Sequence, residues 1–268
     1  MSAGGETWTT EVLGALRAAR FRPVAWIRFL ACSFERAAEA RSRRRREHLQ
    51  LLLVGGAGVA GWAAVGAVGH VWLALAGAAW VALLVAMVDW HLGMLEDDTG
   101  RALRGIGLPN WLAVARGGVV PLLVVLPPVW LVVVLVPAGL GDVVDGRLAR
   151  ARGETSRMGI WLDGGIDAFV LGAAAIGAAR DGLVPWWAAA LVLFRHSVQW
   201  AVLVAAFFVR AEPPPREGFV PAKLPGLVLF AGLVLAVLGV GFGVVLVVLG
   251  AVGGIATFVF SVVRSRSV

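Results

Sequence analysis

The sequence predicts an all-α fold, a polytopic membrane helical bundle, and three observations carry that reading. The 268 residues are 59% hydrophobic and only 15% charged. Mean hydropathy is +0.84. Apolar runs of about 20 residues recur along the chain, the length a helix needs to cross a hydrocarbon layer. A soluble α/β fold built round one core is thereby disfavoured. The single cysteine, Cys32, excludes an intrachain disulfide framework and any multi-thiolate metal site. The net charge of +7 is almost wholly arginine, because Lys223 is the only lysine.

Residues 1–48 read as a cytoplasmic basic amphipathic tail. Within it, "EVLGALRAARFRPVAWIRFLACSFERAAEA" mixes Leu, Phe and Trp with arginines at helical spacing, which suits an interfacial helix or one packed on the protein itself. The run "RSRRRREH", Arg41 to His48, directly precedes an apolar segment, a pattern that anchors a cytoplasmic membrane face more often than it binds nucleic acid. It lacks the short apolar stretch and small-residue cleavage site of a removable signal. Apolar runs at 49–69 and 71–89 break only at Gly69 and His70, so a transmembrane helix hairpin is expected over 49–90. A polar cytoplasmic linker, 91–108, follows. Six more spans are expected near 111–126, 129–146, 158–180, 184–209, 225–241 and 243–263. Pro127 and Pro128, the "RDGLVP" loop and the "EPPPREGFVPAK" loop supply breaks between them.

If these eight spans alternate, Arg41–Arg46, Arg147–Arg157, Arg210–Lys223 and the final "RSRS" share one side, which the distribution of positive charge marks as cytoplasmic. Trp62, Trp72, Trp90, Trp111, Trp130, Trp186 and Trp187 fall near span ends, where an indole is an ordinary interfacial anchor.

Against this apolar background, "DVVDGRLARARGETSRMGIWLDGGID" places four aspartates at the cytoplasmic end of one span and the start of the next. Asp142 and Asp145 are three apart and Asp163 and Asp167 four apart, so each pair shares a helix face. Two facing helices would converge four carboxylates, whose mutual repulsion and desolvation call for cations. An all-oxygen set suits Mg²⁺ or Mn²⁺, which keep positions open for substrate phosphates. Gly146 and Ala149 leave room on the same turn for a flat or bulky group, and Arg150 offers a phosphate-binding fork.

This stretch resembles the signature of the CDP-alcohol phosphatidyltransferase family, D-x2-D-G-x2-A-R-x8-G-x3-D-x3-D. Asp142, Asp145, Gly146, Ala149, Arg150, Gly159, Asp163 and Asp167 match every fixed position and spacing. "LPNWLAVARGGVVP" is similar to the family's entry segment, with Asn110, Arg116 and Pro121, and Ser156 holds a small hydroxyl before Gly159. The resemblance covers 109–268 and implies a six-helix core there, with the tail and hairpin as an addition. It also implies an integral membrane enzyme of phospholipid biosynthesis, a transferase of substituted phosphate groups. Such an enzyme moves a phosphatidyl group from a CDP-alcohol, typically CDP-diacylglycerol, to the hydroxyl of a second alcohol and releases CMP.

By that resemblance Asp142, Asp145, Asp163 and Asp167 hold two divalent cations, Mg²⁺ or Mn²⁺, and Asp167 shares the second metal or acts as general base. Asp142, Gly146, Ala149, Arg150, Ser156 and Gly159 hold the CDP portion. Arg116, Arg157, Arg195 and Lys223 are candidates for an acceptor phosphate, because a charge inside a span needs a partner. The expected partners are the CDP-alcohol, a small alcohol acceptor with a phosphorylated form favoured, the lipid bilayer and, as an option, a second copy in a homodimer; no nucleic acid is expected. The expected place is the cell membrane, as a multi-pass protein with its site facing the cytoplasm.

An intramembrane prenyltransferase also uses aspartates and Mg²⁺, but its Asp-rich motifs lie far apart in sequence and lack the D-G-x2-A-R element. A cation transporter has no need of the Gly, Ala and Arg set. His91, near Asp89, Glu96, Asp97 and Asp98, reads as part of a solvated linker, and His196 as a satisfied interhelical hydrogen bond.

Overall fold

The computed structural model describes the backbone of residues 4–97, 99–210 and 220–264, and side chains over 8–97, 99–209 and 224–260. The "EPPPREGFVPAK" loop up to Lys223 and the final "RSRS", both used above to orient the spans, fall outside the described side chains. Among the described residues every regular element is helical, apart from one isolated bridge between Glu96 and Ala102. In chain order the helices are α1 (Gly4–Ala18), α2 (Pro23–Arg43), α3 (Arg45–Ala67), α4 (Val71–Trp90), a 3₁₀ turn (Leu92–Met94), α5 (Gly107–Gly118), α6 (Val120–Val125), α7 (Pro128–Arg152), α8 (Arg157–Arg180), α9 (Trp186–Arg210), α10 (Val220–Val237) and α11 (Gly243–Arg264).

Among the described residues seven helical segments are long and apolar enough to cross a membrane, and the eighth expected span appears as a shorter apolar helix, Leu224–Val237. The segment Gly107–Val125 is broken at Val119, where α5 ends and α6 begins. By contrast, α7 runs unbroken through Pro137 to Arg152, beyond the end expected at 146. The chain forms two units, one of Met1–Pro121 with Gly141–Ile166, the other of Leu122–Leu140 with Asp167–Val268.

In the first unit the hairpin closes on small residues. A Cβ at Gly55 would lie 3.1 Å from the Val85 side chain and one at Gly58 2.8 Å from that of Val81, while a Cβ at Gly77 would overlap the Trp62 ring. Tight approach of this kind is how membrane helices gain packing when burial from lipid gives little. The linker is tied back by Arg44, which donates to the Leu95 carbonyl at 2.6 Å and the Leu103 carbonyl at 3.1 Å. Arg41 and His48 both reach Asp89, at 2.9 and 2.6 Å, joining the ends of α2, α3 and α4.

The second unit is packed on backbone instead. Glycines bring α10 and α11 so close that a Cβ at Gly232 would lie 2.5 Å from the Val247 nitrogen, and one at Gly250 2.5 Å from the Leu229 nitrogen. Arg180 closes the end of α8 by donating to the carbonyls of Val124 and Leu126, each at 2.9 Å, and by pairing with Asp181. That pairing holds the Asp181 carboxyl below its usual range.

Candidate active site

The site begins where α7 hands over to α8. Gly153 takes a left-handed conformation (φ 62°), which glycine adopts without a Cβ clash, and the chain reverses. Ser156 then caps α8: its hydroxyl accepts the Gly159 N–H at 2.9 Å, three residues into the helix end. Asn110 of α5 donates to the same hydroxyl at 3.3 Å and to the Ile106 carbonyl at 2.5 Å. A Cβ at Gly159 would come 2.7 Å from the Asn110 Oδ1, so this knot leaves room only for glycine. The turn thereby holds the last turns of α7 beside the first turns of α8.

Three of the four aspartates converge there. One carboxylate oxygen each from Asp142, Asp145 and Asp163 lies within 4.8 Å of the others. Arg116 enters from α5, only 6% exposed, and its Nη2 stands 2.9 Å from Asp163, 3.1 Å from Asp145 and 3.6 Å from Asp142. Its stem passes over Gly141, where a Cβ would lie 2.8 Å from the arginine Cδ. Asp145 is itself buried. With all groups ionised the cluster carries a net charge of about −2, that of three carboxylates against one guanidinium. Asp142 Oδ1 and Asp145 Oδ2, the atoms that face Arg116, are buried. Buried carboxylate oxygens in an all-oxygen set, with one guanidinium against three carboxylates, fit a hard divalent cation.

Residues 106–262 match the CDP-alcohol phosphatidyltransferase family. The chain belongs to that family. It is 30% identical over 126 residues to a protein named cardiolipin synthase (CMP-forming) from Streptomyces coelicolor, a match covering 43% of this chain and 58% of that one. A protein of Mycobacterium tuberculosis, provisionally named a cardiolipin synthase, is 32% identical over 100 residues, 35% of this chain and 48% of its own length. The chain spans about half the length of the curated relatives it matches. No solved structure matches it.

The other residues of the family signature take the following places. Arg150 is exposed on the turn after Asp145, and its Nη1 would lie 3.6 Å from a Cβ at Gly146, so the missing side chain keeps the guanidinium face open. Ala149, half-buried, stands beside it. Ser156 and Gly159, both expected to touch the CDP portion, form the cap that fixes the start of α8. Arg157 pairs with Glu96 of the linker at 3.0 Å, and its backbone N–H donates to the Glu96 carbonyl. Arg116, expected at an acceptor phosphate, stands instead among the aspartates.

Asp167 lies one turn beyond Asp163 on α8 and belongs to the second unit. In that unit Arg195 of α9 is 5% exposed, and its Nε and Nη1 make no hydrogen bond. Gly254 of α11 lies against the guanidinium: a Cβ there would come 2.6 Å from its Cζ, and one at Gly226 of α10 would be 3.7 Å from Nη2. The His196 Nε2 is likewise buried without a hydrogen bond, so the expected interhelical bond is not made at that atom. Lys223 lies in the first turn of α10, its side chain outside the described residues.

Sequence reasoning assigned no chemistry to the added hairpin and linker, yet in the first unit a residue of each meets the family region. His91 lies on the Trp161 ring, centroids 4.3 Å apart, two residues before Asp163. Burial holds its imidazole below the ordinary range, opposed by the Met87 carbonyl, which accepts from its Nδ1. Trp80 of α4 donates its indole N–H to the Gly117 carbonyl of α5 at 2.7 Å. The signal for the latter contact was present in the sequence, in the proline four residues after Gly117.

Proposed function

We propose that the chain transfers a phosphatidyl group from a CDP-alcohol, CDP-diacylglycerol, to the hydroxyl of a second alcohol that already carries a phosphate, releasing CMP at the cytoplasmic face of the cell membrane. The observation that carries this reading is the convergence of Asp142, Asp145 and Asp163 round one buried arginine, in a chain of this family.

Asp142, Asp145, Asp163 and Asp167 would hold two divalent cations, Mg²⁺ or Mn²⁺. When bound, such cations supply neutralisation of the pyrophosphate and of the CMP that leaves. The chain's own residues do the rest. Arg150 offers two parallel N–H donors to the nucleotide phosphates, and Gly146 and Ala149 let the CDP portion lie close to α7. Asp167 accepts the proton of the attacking hydroxyl at a carboxylate oxygen as the new P–O bond forms. In line with it, the P–O bond to CMP breaks, and the electron pair leaves with the CMP phosphate.

Arg195 supports a phosphorylated acceptor. Arg195 is 5% exposed with Nε and Nη1 unbonded and feels the Asp167 carboxylate electrostatically, so an acceptor phosphate beside that pair would add the hydrogen bonds the guanidinium lacks. The relatives add support from their products: cardiolipin carries two phosphatidyl groups on one glycerol, so forming it with release of CMP joins a phosphatidyl group to an alcohol already bearing phosphate. Gly226 and Gly254 let α10 and α11 pack close against that charge.

The test uses purified protein with CDP-diacylglycerol, Mg²⁺ or Mn²⁺, and a panel of glycerol phosphate, phosphatidylglycerol, inositol phosphate, inositol and serine. CMP release and lipid product are measured together, for wild type and Arg195→Ala. The expected result is stoichiometric CMP and lipid product with a phosphorylated acceptor, much reduced in the variant. Preference for an uncharged acceptor, unaffected by Arg195→Ala, would remove the acceptor assignment; no CMP release with any alcohol would remove the transfer itself.

A further inference from the structure

The last turn of α5 has a defect written into its sequence. In a regular helix the Gly117 carbonyl would accept from the backbone N–H four residues on, but that residue is Pro121, which has none. What the chain itself offers is the bent contact from the Val119 N–H where α5 ends. A carbonyl left short of a donor away from water is costly, so a partner is expected from elsewhere. It comes from outside the family region: the Trp80 indole N–H of α4 donates to Gly117 at 2.7 Å. The helices meet closely at this point. A Cβ on Gly117 would stand 2.9 Å from Leu84 of α4 and 3.4 Å from Ile166 of α8. The next residue towards the N-terminus is Arg116, whose guanidinium is shared among Asp142, Asp145 and Asp163.

We infer that Trp80 is a positioning residue for the transfer site, its indole N–H replacing the helical hydrogen bond that Pro121 cannot make and so holding Arg116 in register with the three aspartates. The inference rests on the reading of that cluster as the metal and transfer site. It gives the added hairpin a role in the chemistry beyond anchoring: α4 supplies the bond that completes α5.

Loosening the α5 turn has a signature that general damage lacks. Arg116 is a positive charge competing with any cation for the same carboxylates. When it moves away, Mn²⁺ is held more tightly, because the attraction it gains is large at these distances. Transfer nevertheless slows, because misplacement on the order of 1 Å is enough to cost ~100-fold. A merely unsettled fold would weaken both.

The experiment replaces Trp80 in the full chain by Phe, and separately by 3-benzothienylalanine, which keeps the indole's shape without its N–H. A third protein combines Trp80→Phe with Pro121→Ala, which restores a backbone N–H to residue 121. Mn²⁺ affinity is read by electron paramagnetic resonance in nanodiscs, alongside kcat and KM for CMP release, with Asp163→Asn as the control for the cluster. Both single replacements are expected to lower kcat about fivefold with KM little changed, while Mn²⁺ binds about threefold more tightly; the Pro121→Ala combination should return both towards wild type. Wild-type affinity and kcat in the benzothienylalanine protein would overturn the inference, even if the Phe variant failed to fold. So would defects that Pro121→Ala leaves uncorrected, since Trp80 would then act through packing alone. If wild-type protein binds no Mn²⁺, or Asp163→Asn does not alter the binding, the cluster reading itself fails and takes this inference with it. An altered wild-type to Asp163→Asn ratio with silent Trp80 variants sinks the inference only.

Discussion

Among the described residues two arginines lie buried in apolar helices, and their surroundings differ in kind. Arg116, in the first unit, is 6% exposed, and one of its nitrogens faces three carboxylates within 3.6 Å. Arg195, in the second, is 5% exposed, and its Nε and Nη1 make no hydrogen bond. The first sits in an excess of negative charge, three carboxylates to one guanidinium, while the second has the Asp167 carboxylate as its electrostatic partner. A cluster with surplus carboxylate calls for cations, and a buried guanidinium short of acceptors calls for an anion. On the proposed reading, the first cluster would hold metal and pyrophosphate, and Arg195 would meet a phosphate-bearing acceptor.

The comparison breaks most sharply at the carboxylates. Asp142→Asn, Asp145→Asn and Asp163→Asn should each lower transfer by at least ~100-fold while the protein still folds, because each removes one negative charge from a shared cluster. CMP release in reconstituted bilayers, with a competent acceptor, checks it; near wild-type rates in all three would end the catalytic assignment.

Arg116→Gln is the next largest. Removing the guanidinium leaves three carboxylates facing one another, and breaking a buried ion pair from one side costs about 3–5 kcal/mol. The metal-free protein should melt lower, and Mn²⁺ should recover more of the lost stability than it adds to wild type. A thermal melt with and without Mn²⁺ decides this; an unchanged metal-free melting point would mean the guanidinium adds nothing there.

Arg195→Met should do the opposite in the second unit. A buried charge with two nitrogens unbonded, exchanged for an apolar side chain of similar length, leaves stability unchanged or raises it by about 1–4 kcal/mol. Use of a phosphorylated acceptor should fall at least ~10-fold, mostly in KM for that acceptor. Loss of stability in Arg195→Met would show that the guanidinium has all the partners it needs.

The smallest effect is a pH dependence in the first unit. His91, lowered by its burial against Trp161, binds its proton less readily in the folded protein than in the unfolded chain. Its contribution is therefore fully present above the ordinary imidazole value of about 6.5 and is lost as pH falls below it. His91→Gln should flatten the fall in melting temperature between pH 7 and 5. An identical pH profile in the variant would remove His91 from the account.

How much of this was legible beforehand depends on the range of the forces involved. The apolar runs, the breaks at Gly69 and Pro127, and the spacing of Asp142, Asp145, Asp163 and Asp167 are local, so the helices, the hairpin and the signature could be read from the sequence. Even there, helix ends moved: α7 continues to Arg152 through Pro137, while the segment from Gly107 breaks at Val119, two residues before Pro121. The break falls just before Pro121, which withholds a backbone donor from the Gly117 carbonyl.

Hydropathy and helical periodicity are properties of neighbouring residues, so the sequence alone determined a helical membrane protein with four aspartates, in two helically spaced pairs, in one 26-residue stretch. Tertiary structure alone decided what those acids meet. Arg116 lies 26 residues before Asp142, and nothing in its own turn says that it points at three carboxylates; Gly141 admits its stem only because α5 and α7 pack at that height. In the same way Trp80 reads as one more aromatic residue in an apolar span until α4 is laid against α5, where its N–H meets the carbonyl that Pro121 leaves without a donor. A charge or a hydrogen bond acts on whatever stands within a few ångströms, and for groups far apart in the chain only the packing of the helices sets that distance.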